Sequence, residues 1–323
     1  MLARLGAWMS FRTAAGLVEE LFPLASGGST STVRRRVLAE AARVDAQRST
    51  GRAEPAAAAR SIDVGVDTTY VRSCAVDGPR HHEVLIGIAM ADDGRSRRLG
   101  GVIATLDPPH ELIAGALQQL GRDTDTTITA YTDGAEMLRR WLAKAGVPGR
   151  PILDWAHLAR RMHATKTTAK GLQVLTEREY RARPAIRRLL DSVHWRLWNG
   201  QVGRARDALV QIERRLEAFD ARRQRPGRPA IPARRVRTAV NNLRDYVDGQ
   251  SAYLVDYARR QRAGQQVGTS PVESLANALV NKRMNKLQQM RWSVTGAHAV
   301  VTVRADAMNT GRRAGATATA LAA

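Results

Sequence analysis

The spacing of apolar residues changes along the chain from helical, to alternating, and back to helical, which divides it into segments. Over Phe11 to Phe22, and again over STSTVRRRVLAEAARV with Val33, Val37, Leu38 and Ala41 behind Ser/Thr capping residues, the pattern predicts two helices in a helical region 1–50. Gly27 and Gly28 predict the turn between them. The pair reads either as a helix-turn-helix presenting Arg34, Arg35 and Arg36 to a DNA groove or as a plain helical hairpin, because its turn is longer than the three or four residues usual for that motif. Residues 51–60 mix Gly, Pro and small residues without apolar periodicity and read as a linker.

From residue 61 the period becomes two. SIDVGVDTTYVRSCAV, HHEVLIGIAM and RRLGGVIATL are β-branched-rich runs separated by the turn sequences DGPR and ADDGRS, which predicts an antiparallel meander. A helix from Glu111 to Leu120, a strand TTITAYTD ending at Asp133, a helix from Glu136 to Ala145 and a short strand PILDW follow. A meander continued by β-α-β units gives an α/β fold, a mixed five-stranded sheet with flanking helices in the RNase H-like order. The first part of that domain spans 61–165. An all-helical, Arg-rich amphipathic insertion takes 166–265, with RRQRPGRPAIPARRVR as a loop inside it. The final helices of the domain fall at 266–310, and a low-complexity, disordered tail at 311–323.

Composition then narrows the partner and the metal. Fifty-one Lys+Arg against 30 Asp+Glu give a formal charge of +21, a field that attracts polyanions and points to nucleic acid. No apolar run approaches the roughly 20 residues that span a bilayer. Arg4 interrupts the short apolar start MLARLGAWMSF, and no small-residue cleavage site follows, so the expectation is a cytoplasmic protein with no membrane partner. Cys74 is the only cysteine and HExxH spacing is absent, which excludes disulfides and Cys-based zinc sites within one chain. Metal is expected on carboxylates.

In an RNase H-like sheet the first strand, the fourth strand and a late helix meet at one edge. Asp67, Asp133 and Glu273 occupy those places. Asp63, four residues before Asp67 on the same strand face, is a local rival. Asp133 ends its strand, where ligands gather in α/β sheets, but it equally suits a cap for the next helix. Ser270, Pro271 and Glu273 spell a capping box, whereas Asn277 and Asn281 continue Glu273's helix face with polar groups. Lys282, Arg283, Lys286 and Arg291 form a basic cluster suited to phosphates or to a solvated face. Asp154 and His157 in DWAHL either support an active site or serve as N-cap and surface residue. Trp195 and Trp198 suit base stacking or a helical core.

The segments VGVDTTYVRS, YTDGAEMLRRW, ILDWAHLARRM and SPVESLANALVNKRMNKLQQMRWSVTGAHAV, spread over roughly residues 60 to 310, together resemble the DDE transposases of bacterial insertion sequences, specifically the Kra group, with a layout like that of Mutator-like transposases. The resemblance implies that Asp67, Asp133 and Glu273 are the DDE triad and that Asp154 and His157 match the family's Asp/Cys-x-x-His element. It implies Mg²⁺ (or Mn²⁺), transposon-end and target DNA as partners, and a homo-oligomer on DNA. Thr68 stands where the family commonly has Gly. Members also carry a longer N-terminal DNA-binding region, so the expectation includes a truncated copy. The expected activity is metal-dependent cleavage at transposon ends and transfer of the 3′-hydroxyl into target DNA. The alternatives are an inactive DNA-binding remnant and a stand-alone RNase H-like nuclease.

Overall fold

The structure is a computed structural model and describes residues 1–22, 29–49, 56–174, 176–219, 231–286 and 290–320. Strands β1 (Ser61–Arg72), β2 (His81–Ala91), β3 (Ser96–Val102), β4 (Thr127–Thr132) and β5 (Ile152–Leu153) form one five-stranded sheet of order β3-β2-β1-β4-β5. β1–β2 and β2–β3 pair antiparallel and β1–β4 pairs parallel. The α/β class and the mixed RNase H-like sheet read from the alternation are therefore present. The chain separates into two compact units, 1–149 with 269–323, and 150–268.

In the first unit strand alternation assigns the two sheet faces. Ile62, Val64 and Val66 point to the face packed by Ile113 and Leu117 of α4 (Pro109–Gln118) and by Leu138 and Leu142 of α5 (Glu136–Lys144). On the opposite face Ile86 and Ile88 pack with Val272, Leu275 and Leu279, which lie on α11 (Ser270–Ala276) and on the π-helical segment Asn277–Lys286 that continues it. Val300 and Val301 of α12 (Val294–Ala320) join this core.

Two glycines let these helices sit close to the sheet. A Cβ at Gly65 would stand 2.7 Å from Val272 Cγ2, and one at Gly100 would meet Leu279 Cδ2 at 2.7 Å and Val301 Cγ1 at 2.8 Å. Both distances are below carbon–carbon contact.

The N-terminal helices α1 (Leu2–Trp8), α2 (Phe11–Leu21) and α3 (Thr30–Ser49) belong to this same unit. The reason is burial: Ala7, Val37 and Ala41 lie in the core shared with α12. The expected helices α2 and α3 are present and α1 is additional. The turn at Gly27 and Gly28 lies outside the described residues, as does the linker from 51 to 55. At the other end α12 continues to Ala320, so residues 311–320 are helical where low complexity had suggested disorder. Alanine, frequent there, is the best helix former.

Arg304 of α12 is 1% exposed. Its Nε donates to Leu279 O at 2.7 Å, its Nη1 to Ala7 O at 2.8 Å and its Nη2 to Ala278 O. The guanidinium also lies 4.2 Å from the Trp8 ring centroid. Burial, and more weakly the neighbouring Arg283, push it down to about 10, so it keeps its charge at neutral pH.

The second unit is helical, with α6 (Trp155–Lys170), α7 (Glu177–Trp198), α8 (Val202–Leu216), α9 (Ile231–Gly249) and α10 (Tyr257–Arg262). It begins at Arg150, ahead of the 166 boundary taken from the loss of strand pattern, because Leu158, Met162 and Ala169 of α6 pack with Leu190, Leu209 and Val240. Buried Tyr257 donates to Leu153 O at 2.8 Å, lies tilted against Trp155 and stacks on Trp198. Burial, and to a lesser degree the Asp154 charge, raise its phenol far above the ordinary value.

Two measurements follow from these contacts. Gly65→Ala should cost about 1–3 kcal/mol in urea unfolding through overpacking against Val272, and Val272→Ala in the same chain should return part of it; equal losses in the single and double variants would refute the close approach. Because the folded Tyr257 phenol holds its proton above the unfolded value of about 10, the unfolded state loses protons first as pH rises. Stability should therefore fall above pH 10 by about 1.4 kcal/mol per unit. Tyr257→Phe should flatten that slope.

Candidate functional site

The parallel register of β1 and β4 runs from Ser61↔Thr127 to Gly65↔Tyr131. Asp67 and Asp133 each lie two residues beyond that last pair, on the C-terminal side of the parallel pairing where α/β sheets place ligands, although β1 itself continues to Arg72 with Asp67 opposite Ile86 of β2. By alternation Asp67 shares the face of Gly65, the face on which α11 lies with Val272 over Gly65. Glu273 is the residue after Val272. Asp63 shares the face and pairs with Met90 of β2, as Asp67 does with Ile86, but Asp63 also pairs with Thr129 within the β1–β4 ladder whereas Asp67 lies beyond it.

Local hydrogen bonds orient these carboxylates. Asp67 Oδ1 accepts from Thr68 N at 2.7 Å, and Asp133 Oδ1 accepts from Ala135 N at 2.8 Å. Asp133 is not the cap of α5, whose N-cap is Ala135 with no side-chain cap bond. Gly134, at φ +98°, turns the backbone between them, a conformation that suits glycine. The capping box expected at Ser270 is also not formed. Thr269 is the N-cap of α11, no side chain caps it, and Glu273 N bonds to Thr269 O at 3.0 Å. Ser270 is drawn into the helix by Pro271 in its first turn. Among the described residues of this unit, the ligand atoms of Asp67, Asp133 and Glu273 do not all come within 4.8 Å of one another. The three therefore do not form one tight cluster.

The π segment adds groups that helical spacing hid. Asn281 Nδ2 donates to Asn277 Oδ1 at 3.3 Å, and Asn285 Nδ2 to Asn281 Oδ1 at 3.0 Å and to Tyr70 O at 2.9 Å. Lys286 Nζ donates to Asn277 Oδ1 at 2.9 Å. Residues nine apart lie on opposite sides of an α-helix with 3.6 residues per turn. The wider π winding brings them to one side. Asn285 thereby ties the segment to the end of β1. The Tyr70 hydroxyl donates to Glu83 at 3.2 Å and is raised first by the Glu83 charge, then by burial, with Asp133 contributing.

The basic residues divide. Lys282, Lys286 and Arg291 are exposed, as are Arg34, Arg35 and Arg36 along α3. Arg283 is not available for DNA: it is 5% exposed, lies 5.1 Å from the Trp292 ring centroid and 5.6 Å from that of Phe11, and is lowered by burial. Its side chain leaves the neighbouring Lys282 direction for the core because Met284 and Val280 bury on the same stretch.

In the second unit Asp154 caps α6, accepting from Ala156 N at 2.9 Å while 0% exposed, and its Oδ2 lies 3.8 Å from His157 Nε2. Trp198 joins the Trp155 and Tyr257 aromatic cluster, whereas Trp195 is 61% exposed. The two tryptophans thus take the core and surface roles separately. No helix among the described residues is long and apolar enough to cross a membrane.

No protein-family profile matches the chain, and no curated protein matches it.

The cap on α6 can be separated from any use of the Asp154 charge. Asp154→Ala should cost about 0.5–2 kcal/mol in chemical unfolding, and Asp154→Asn, whose amide oxygen still accepts from Ala156, should cost less; equal losses would show that the charge and not the cap holds this turn.

Proposed function

We propose that this chain is a DNA transposase of the DDE type, acting by metal-dependent cleavage at transposon ends and transfer of the freed 3′-hydroxyl into target DNA. The observation that carries the reading is that Asp67 and Asp133 stand level with each other, each two residues past the last parallel pair of β1 and β4, with the helix of Glu273 lying on the sheet face of Gly65 and Asp67. The donor set is all carboxylate, which fits a hard divalent cation such as Mg²⁺ or Mn²⁺ held by Asp67, Asp133 and Glu273. When bound, such ions would help activate an attacking oxygen and stabilise the leaving 3′-oxygen.

The chain's own groups supply the rest. The paired strands fix the two aspartates, and the Asn277–Asn281–Asn285 ladder holds the π segment to β1 at Tyr70. That leaves exposed Lys282 and Lys286 to meet phosphates beside the carboxylates. The +21 charge supports DNA as the partner and implies strongly salt-dependent binding. The same reading carries a homo-oligomer on DNA, a cytoplasmic site of action, and a supporting role for Asp154 and His157.

The test is incubation of the purified chain with Mg²⁺ and DNA carrying the sequences that flank its gene. The expected products are ends with free 3′-hydroxyls and strands joined to target. Asp67→Asn, Asp133→Asn and Glu273→Gln should each lower both by at least about a hundredfold, about 2.7 kcal/mol, with DNA retention on filters unchanged. Full activity in Asp133→Asn would overturn the assignment. Absence of cleavage by the unaltered chain would favour a DNA-binding remnant, and cleavage of any DNA a nuclease.

A further inference from the structure

Away from the carboxylates, a cavity of about 260 Å³ opens in the first unit between α2, α3, the chain after β1 and the start of α12. Phe11, Leu38, Met290 and Trp292 form its walls, and exposed Arg34 and Arg291 stand at its margin. Its volume is just below the range of about 300–1,000 Å³ typical of sites for drug-sized ligands, so it suits one planar ring system. The walls are pre-set: Trp292 N donates to Arg72 O at 2.8 Å, and Trp292 O accepts from Cys74 N at 3.0 Å and contacts His82 Nε2 at 3.0 Å.

Buried donors at this wall lack partners. Trp292 is 4% exposed and its Nε1 has no hydrogen-bond partner among the described residues. Behind Trp292 and Phe11, the Arg283 guanidinium spends Nη1 on Met290 Sδ at 3.0 Å, while its Nε and Nη2 are likewise without partners. Arg283 does not line the cavity; its guanidinium stacks behind the Trp292 and Phe11 rings and holds them in place. Aromatic and apolar walls with a cationic margin together describe the complement of a nucleotide: a flat base carrying a phosphate.

We propose that this cavity is a second DNA site that takes one unstacked nucleotide, its base against Phe11 and Trp292 and its phosphate between Arg34 and Arg291. The proposal rests on the reading of the chain as a DNA-acting protein and goes beyond it, since it assigns a base-holding pocket outside the carboxylate region. Unstacking costs a few kcal/mol in a duplex and little in a single strand. The site therefore favours single-stranded or frayed DNA, with stacking on aromatic rings as the sequence-tolerant attraction.

Cys74 lines the cavity, is exposed and is the only cysteine of the chain, so its reaction with a thiol reagent reports on this site alone. The experiment measures the rate of Cys74 modification in the full chain with single-stranded oligonucleotide, duplex, deoxynucleoside monophosphate or inorganic phosphate, with oligonucleotide binding followed in parallel by fluorescence anisotropy. Single-stranded DNA at ten times its Kd should slow modification about tenfold, as mass action on a blocked thiol requires, with duplex less effective at equal occupancy and phosphate nearly without effect. Arg34→Ala with Arg291→Ala, both at exposed positions, should remove most of the protection. Oligonucleotide that binds by anisotropy while Cys74 reacts at its free rate would overturn the pocket and leave the DNA reading standing. Equal protection by inorganic phosphate would overturn the base-holding role, and failure to bind any DNA would overturn both readings.

Discussion

A single buried cation holds the late part of the chain in place. Arg304 donates to Leu279 O and Ala278 O in the π segment and to Ala7 O at the end of α1. Burying a charged group costs less when its donors are met, and α1, the π segment and α12 together supply the partners of this guanidinium. Glu273 precedes the π segment by one helical turn, and its position over the sheet depends on that arrangement. The carbonyls at 278 and 279 are groups whose bonds along the axis are altered when a helix widens, and Arg304 supplies donors to them. A side chain from the C-terminal helix thus supports the winding that carries the candidate site.

The second constraint is distance. Helices approach a sheet only as closely as side chains between them allow, and Gly65 and Gly100 remove that layer under Val272, Leu279 and Val301. Close approach at Gly65 brings the helix of Glu273 over the strand of Asp67. The parallel pairing of β1 with β4 supplies the other half by setting Asp133 level with Asp67. One register and one missing Cβ thus relate elements whose carboxylates are separated by 66 and 140 positions in sequence.

Charge is sorted by the same packing. Lys282, Arg283 and Lys286 form one basic run in sequence, yet the π winding turns Arg283 inward with Val280 and Met284 while its neighbours stay in water. Trp195 and Trp198 are divided likewise, since residues three apart on α7 straddle the edge of its buried stripe. The aromatic cluster of Trp155, Trp198 and Tyr257 then accounts for the strong resistance of the Tyr257 phenol to ionisation: the anion would form where water is excluded.

Alternation and helical spacing by themselves determined the α/β class, the meander and its continuation, the helical character of the middle of the chain, and Asp67 and Asp133 as strand-end carboxylates, because strand and helix periods are local properties of sequence. The position of Asp67 beyond the β4 pairing and of Asp63 within it needed the register, and the release of Glu273 from a capping box needed the true start of α11 at Ser270 with Thr269 as cap. Arg283's burial, the asparagine ladder reaching Tyr70, the inclusion of α1 to α3 in the sheet-bearing unit and the cavity at Trp292 were decided by tertiary structure alone. Each arises from residues far apart in the chain meeting across a packed surface, and no local period encodes which distant atoms a buried donor or a missing Cβ will face.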